Sequence, residues 1–578
     1  MKRVFSFLSP LFANRKFLLV ASLPAVAVTA FGLVQVQVTS PVAWAVTLCG
    51  KLVAEFAFLG LCLCLLNLLG LKNKWLLGVL LFLYYFAMTA DFVLLLYFKE
   101  RFGAKYFDTL QGGDYAFMTD WRLLSYFAAL ALFCGVILKK WFTPLPRAAA
   151  LKQAGLCACV LAFFIFINPF ALLPRPNDFF ARYFLPPLPV YLANAFAAAR
   201  PRALITKEPP ANIVATAQKY NVFTAKNTGI GKDYTHVILI ATESLSAKYM
   251  HRFNPHIPPA AGRGYDALFE QYPSDTLQTV TLSTLYGLSV IFSSHPYAEL
   301  SFQHNYPLSF VKELKKAGFH TAFVRGAHED YMHENELFHQ AGFDVVRGWN
   351  YFEDKPEYAK YLTWWGLLDR KLFDYAETYL QAHQNEKTFL TLLTVDTHVP
   401  LGRLDYLDQT YEEIDGEFYD RPTLPRAFAR VGQDIERFVQ HLRDKNLLDE
   451  NTLILVTGDH PSFSNMLTPG LFKPFDPVFD RIPFAVITAP ALQKPLVTDA
   501  LASQLDIAPT VLDLLNLPQP RGFFGHSLFE QGAARSVFDI KEDYAVVTTE
   551  KARQVFPLNS SRPSDKELIN LMTTFWVD

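Results

Sequence analysis

The chain has 578 residues, with 53 Lys or Arg against 54 Asp or Glu and a formal net charge of −1. That balance leaves no basic footprint, so nucleic acid is excluded as the expected partner. The length exceeds one ordinary domain and the composition shifts sharply near residue 175, so at least two folding units are expected.

Residues 1–174 hold five apolar stretches, Phe17–Val38, Leu52–Leu71, Trp75–Phe98, Leu123–Leu138 and Ala154–Leu173. Each approaches the roughly 20 helical residues that cross a hydrocarbon core of about 30 Å, so a five-helix transmembrane bundle is expected. The first is followed by further spans without a convincing processing site, which argues against a cleaved leader. Basic residues gather before span one (Lys2, Arg3, Arg15, Lys16), after span two (Lys72, Lys74) and after span four (Lys139, Lys140, Arg147, Lys152). These three places lie on one side if the N-terminus is inside, and five crossings then put everything after Leu173 on the opposite side. The six cysteines (Cys49, Cys62, Cys64, Cys134, Cys157, Cys159) fall within or at the edge of this half. The outer part must therefore fold on its hydrophobic core, without disulfides.

Residues 175–232 mix Pro pairs with aromatic and Ala-rich runs and read as an amphipathic linker near the membrane surface. From 233 to 578, short apolar runs alternate with helical patterns: HVILIATE at 236–243, TAFVRG at 321–326, FLTLLTVDTH at 389–398, TLILVTGDH at 452–460 and FAVITAP at 484–490. Strands that are apolar on both faces and separated by helices predict an α/β domain with a mostly parallel central sheet covered by helices. Ligands bind such sheets beyond the carboxyl ends of the strands, where Glu243, His398 and the Asp459–His460 pair stand.

Two carboxylates and an imidazole at one sheet edge outline a divalent-metal site, suited to Zn²⁺, with Mn²⁺ or Mg²⁺ as alternatives. Each residue alone also fits an ordinary polar strand end. The segment PSDTLQTVTLSTLYGLSV at 273–290 supplies hydroxyls before an apolar helical run, where a helix dipole and a metal would activate one of them. Ser274, Asp275 and Thr276 equally suit an N-cap cluster.

HVILIATESLS, TLLTVDTHVP, LVTGDH and LDIAPTVLDLLNLP…GFFGHSL occur in the order that resembles the alkaline-phosphatase/sulfatase superfamily, over roughly residues 235–530. Within it the chain is similar to the membrane branch of lipoteichoic acid synthase, phosphoglycerol transferase and lipopolysaccharide phosphoethanolamine transferases. The resemblance implies a bacterial inner-membrane enzyme with its catalytic domain in the periplasm. It implies metal ligands at Glu243, Asp459, His460 and the nucleophile hydroxyl, and it places His398 at the transferred phosphate or leaving group. Alignment with lipoteichoic acid synthase puts the nucleophile at Ser274 and the T-x-T-x-x-S/T spacing of phosphoethanolamine transferases puts it at Thr279, which is favoured, with Thr276 between them as a third candidate. The segment RGAHEDYMHENELFHQAGFD at 325–344 resembles a head-group-binding region and makes Arg325, His328 and His333 candidate substrate contacts; a solvated helix face is the competing reading.

The reaction so implied moves a phosphoethanolamine or phosphoglycerol head group from a membrane phospholipid, through a covalent phospho-enzyme, to a cell-envelope glycan such as lipopolysaccharide. Two other classes compete with it. A sulfatase or phosphatase hydrolysing its ester would, if a sulfatase, carry a Cys or Ser in a C/S-x-P-S/A-R setting, which nothing in 270–290 matches. A non-catalytic envelope sensor of the same fold would have no reason to keep the Glu, His and Asp-His set.

Overall fold

A computed structural model describes residues 14–35, 41–71, 73–98, 121–166, 203–255, 259–281, 283–296, 306–329, 334–363, 366–398, 424–462, 481–540, 544–558 and 560–577. The chain divides into two compact units, the first ending at Ala199 and the second running from Arg200.

In the first unit, helices occupy Arg15–Gln35, Pro41–Leu68, Lys74–Phe98, Trp121–Trp141 and Arg147–Phe166, each overlapping one of the five apolar stretches. Among the described residues, Lys51–Leu68 is long and apolar enough to cross a membrane, while Lys16–Ala27 and Lys74–Met88 are shorter apolar segments. The helices pack around Phe17, Leu18, Ala57, Phe58, Tyr85 and Ile137. Lys51 and Glu55 are fully buried in one helix and pair at 2.8 Å, and the Tyr84 hydroxyl donates to the same carboxylate. Charges in so apolar a setting persist only when paired, which is what this arrangement achieves.

The second unit is built on a seven-stranded sheet with the order β3-β8-β7-β2-β6-β4-β5. Its strands are β2 (His236–Thr242), β3 (Ser274–Gln278), β4 (His320–Arg325), β5 (Val345–Arg347), β6 (Thr388–Leu393), β7 (Thr452–Gly458) and β8 (Arg481–Ile487). Strands β7, β2, β6, β4 and β5 are parallel, and β8 runs antiparallel to both β7 and β3. The sheet is thus mostly parallel, as the apolar runs predict, with β8 reversed. One face is covered by the Asp369–Ala382 and Leu424–Asp444 helices around Leu372, Phe373, Phe428 and Phe438. The other carries the Thr284–Ser293, Phe310–Lys316 and Ile507–Leu514 helices around Leu288, Phe292, Phe310 and Val511. Burial on both faces is why these strands lack polar alternation.

The stretch read as a linker contributes structure to this unit from residue 203 onward. Strand β1 (Leu204–Thr206) pairs in parallel with the C-terminal strand Thr574–Trp576, and the Trp576 indole donates to the Lys207 carbonyl at 2.9 Å. Residues 175–202 lie outside the described residues.

Candidate active site

Strands β2 and β7 are hydrogen-bonded neighbours, with Thr242 opposite Gly458. The residues following them, Glu243 and Asp459–His460, therefore emerge side by side at the carboxyl edge of the sheet. Their ligand atoms all lie within 4.8 Å of one another, and all three residues are buried. His460 Nε2 is 3.4 Å from Glu243 Oε1 and 3.5 Å from Asp459 Oδ2.

Backbone geometry holds this corner. Ser244 adopts a left-handed φ of 56°, a conformation uncommon outside glycine, found where surroundings impose it. The turn aims the Ser244 amide at Asp459 Oδ1, 2.8 Å away, and the His460 amide reaches the same oxygen at 2.7 Å. The Ser244 hydroxyl donates to Glu243 Oε1 at 2.6 Å. Thr394 and Thr397, beyond β6, clasp the Glu243 peptide: the Glu243 amide donates to Thr394 Oγ1 at 3.0 Å, and Thr397 Oγ1 donates to the Glu243 carbonyl at 2.5 Å. The loop carrying these threonines is itself fixed, because buried Asp369 accepts the amides of Val395 and Asp396 at 2.7 and 2.9 Å. His398 ends that loop half-buried.

The donor set fits a divalent cation. Asp459 Oδ2 is buried with no hydrogen-bond partner, an arrangement that is costly unless a positive charge faces it. His460 Nδ1 lies 3.0 Å from the Pro461 carbonyl; donating there, the ring turns Nε2 toward the two carboxylates, as a metal-binding imidazole does. The electrostatics agree. Burial and then the Glu243 charge push the Asp459 carboxyl up to about 7. Burial would lower the His460 imidazole, but Asp459 and Glu243 outweigh it and lift it to about 9. Burial would raise Glu243, yet its His460 hydrogen bond, the His398 and His460 charges and Ser244 hold it below the usual carboxylate range. Two carboxylates crowd one imidazole, and a cation between them would relieve the excess negative charge.

Besides Ser244 and Thr397, a further hydroxyl in hydrogen-bond contact with this corner belongs to Thr284. Its Oγ1 donates to Glu243 Oε2 at 3.0 Å and lies 3.4 Å from His460 Nε2. Thr284 is the first residue of the Thr284–Ser293 helix, so the positive end of the helix dipole acts on its oxygen. The helix fits so closely because of Gly287, where an added Cβ would stand 2.0 Å from the Asp459 carbonyl oxygen.

Of the hydroxyls expected from the sequence, those of Ser274 and Thr276 are placed differently. Ser274 and Thr276 lie on β3, an edge strand. The Ser274 hydroxyl donates to the Phe269 carbonyl at 2.6 Å, and Thr276 Oγ1 accepts from Arg481 Nε at 2.8 Å. Thr279 is in the coil after β3. Thr284 escapes the sequence reading because S-D-T-L-Q resembles a helix N-cap cluster, whereas pairing with β8 makes it a strand and moves the helix start to Thr284. The available signal is that Thr284 is the last hydroxyl before the apolar run Leu285–Phe292, with Gly287 one turn on.

Arg325 ends β4 and is buried in an ion pair with the buried Glu334. His328 is half-buried, stacks on Trp349 with centroids 4.7 Å apart and contacts Asn350 Oδ1 at 3.1 Å. His333 lies outside the described residues.

Residues 235–517 match the family model described as Sulfatase. Phosphoglycerol transferase I of Xanthomonas campestris pv. campestris is 30% identical over 227 residues, 39% of this chain and 31% of that protein. The protein of the same name from Salmonella arizonae is 25% identical over 234 residues, 40% of this chain and 29% of its own length. The chain therefore matches under a third of the length of these curated relatives. Among solved structures, the integral membrane protein lipooligosaccharide phosphoethanolamine transferase A of Neisseria meningitidis has a TM-score of 0.57 at 13% identity. That likeness covers 88% of this chain and 95% of the other, and it concerns the fold. The Glu243, Asp459 and His460 corner thus lies within a domain that matches the Sulfatase family model.

Proposed function

We propose that this chain transfers a phospholipid head group to a cell-envelope glycan such as lipopolysaccharide, with Thr284 as nucleophile. The observation that carries the reading is the Thr284 hydroxyl, 3.0 Å from Glu243 Oε2 and 3.4 Å from His460 Nε2, beside a buried Asp459 oxygen without a hydrogen-bond partner. Glu243, Asp459, His460 and Thr284 would hold a divalent cation, Zn²⁺ by ligand type, which lowers the pKa of a bound hydroxyl and offsets charge on the phosphoryl oxygens.

In the first half-reaction Thr284 Oγ1 attacks the head-group phosphorus, and its proton leaves along the hydrogen bond to Glu243. The bond from phosphorus to the diacylglycerol oxygen breaks, and that oxygen takes a proton from His398. In the second, an acceptor hydroxyl attacks the phosphorylated Thr284, returns a proton to His398, and Thr284 Oγ1 recovers its own from Glu243. Phosphoryl transfer gains chiefly from positioning and charge stabilisation, so the pinned corner matters more than any one group. Phosphoglycerol is the favoured head group, because the relatives at up to 30% identity carry the name phosphoglycerol transferase.

The first unit would anchor the enzyme at its donor. Five crossings with the N-terminus inside place the catalytic domain in the periplasm, and tethering raises the effective concentration of a lipid phosphate at the bilayer surface.

The test offers the purified full chain, with zinc, phosphatidylglycerol or phosphatidylethanolamine in mixed micelles and follows diacylglycerol release. Release from phosphatidylglycerol that is lost in Thr284→Ala supports the proposal. Hydrolysis of a sulfate ester without diacylglycerol release would make the chain a hydrolase, while release from phosphatidylethanolamine alone would reassign the head group.

A further inference from the structure

We propose that Gln504 is a positioning residue that locks the Thr284 segment to the Asp459–His460 corner. This inference rests on the assignment of Thr284 as nucleophile. Gln504 is fully buried, and its amide bridges two backbones. Its Nε2 donates to the Asp459 carbonyl at 2.6 Å, and its Oε1 accepts from the Val280 amide at 3.1 Å. Asp459 offers the corner its side-chain oxygens, and Val280 lies in the chain that leads into the Thr284 helix. One side chain therefore spans the two elements whose separation sets the distance from nucleophile to metal ligands.

The segment that presents Gln504 is held along its length. The Gln278 amide donates to the Ala502 carbonyl at 2.7 Å, and Gln278 forms a parallel bridge with Ser503. Ser503 and Asp506 form a reciprocal capping box around Gln504. At the far end of the Thr284 helix, the Ser294 hydroxyl donates to the Leu505 carbonyl at 2.6 Å. Flanking contacts thus fasten this segment both before Thr284 and after its helix, and Gln504 connects it to the metal-ligand strand. The Asp459 carbonyl that Gln504 grips is also the atom against which Gly287 packs.

An amide is required because the two ends make opposite demands, a donor toward a carbonyl and an acceptor toward an N–H. Gln504→Glu keeps size and the Val280 contact but sets a carboxylate oxygen against the Asp459 carbonyl. Gln504→Met keeps the volume and removes both contacts.

The test uses the metal-stripped full chain in detergent. Zinc affinity is measured by competition with a chromophoric chelator, kcat and KM by diacylglycerol release, and folding by thermal melting. Both variants are expected to lose about tenfold to a hundredfold in zinc affinity and in kcat, the range for groups that orient ligands, with KM for the lipid within about twofold. The Glu variant should fall at least as far as the Met variant. Zinc affinity and kcat unchanged per folded molecule in Gln504→Glu, with only the melting temperature lowered, would overturn the lock. A wild-type chain that fails to release diacylglycerol, while the variants still lose zinc, would refute the transfer reaction and leave the lock standing.

Discussion

Replacing Gly287 by alanine is expected to uncouple Thr284 from the metal ligands while leaving the fold in place. The new Cβ would lie 2.0 Å from the Asp459 carbonyl oxygen and 2.8 Å from its carbon. Both atoms are backbone in a buried strand end, so the clash cannot be relieved by turning a side chain. The Thr284–Ser293 helix must withdraw by roughly 1 Å or more to restore ordinary contact, and a misplacement of that size costs about 10²-fold in rate. Thr284 lies one turn earlier on the same helix, and its 3.0 Å hydrogen bond to Glu243 does not survive such a lengthening. Overpacking of this kind also costs about 1–3 kcal/mol of stability. Diacylglycerol release at saturating lipid, compared with wild type at equal folded fraction, measures the effect. A kcat within about threefold of wild type would refute the claim that the approach of this helix to Asp459 sets the reaction geometry.

Asp459→Ala should lose bound zinc and activity together, and elemental analysis of the purified variant against wild type checks it; active protein without metal would contradict the ligand assignment. His295 is buried between Phe575 and Phe524, and burial pushes its imidazole down to about 3. The unfolded chain takes up this proton below about pH 6.5 while the folded chain does not, so stability is full above pH 6.5 and falls toward pH 3 with a slope approaching about 1.4 kcal/mol per pH unit. Melting curves between pH 7 and pH 4 should show a shallower decline in His295→Phe than in wild type, and parallel curves would refute the assignment. A reporter fused after Asp578 is expected to be active in the periplasm and one inserted at Arg147 in the cytoplasm, and the reverse pattern would sink the five-span topology.

The parts of the site legible in the sequence are those fixed by burial. Strands β2 and β7 are apolar on both faces, so the first polar residue after each announces the sheet edge, and Glu243, Asp459 and His460 stand out for that reason. What depends on distant pairing is not legible. The S-D-T-L-Q pattern carries no sign that β8 will pair with it, and without that pairing the helix start cannot be moved from the Ser274 region to Thr284. Arg325 shows the same limit. Its place at the end of β4 points to the site, but the Glu334 carboxylate that partners it comes from the Glu334–Ala341 helix. Gln504 has no local signature, since its role lies in joining two backbones far apart in the chain.

Peptide mapping of the wild-type chain, quenched during turnover with lipid donor, identifies the attacking hydroxyl. The expected result is a phosphorylated or head-group-modified peptide with the adduct on Thr284, absent from Thr284→Ala. An adduct on Thr279, Ser274 or Thr276, or undiminished transfer by Thr284→Ala, would contradict it.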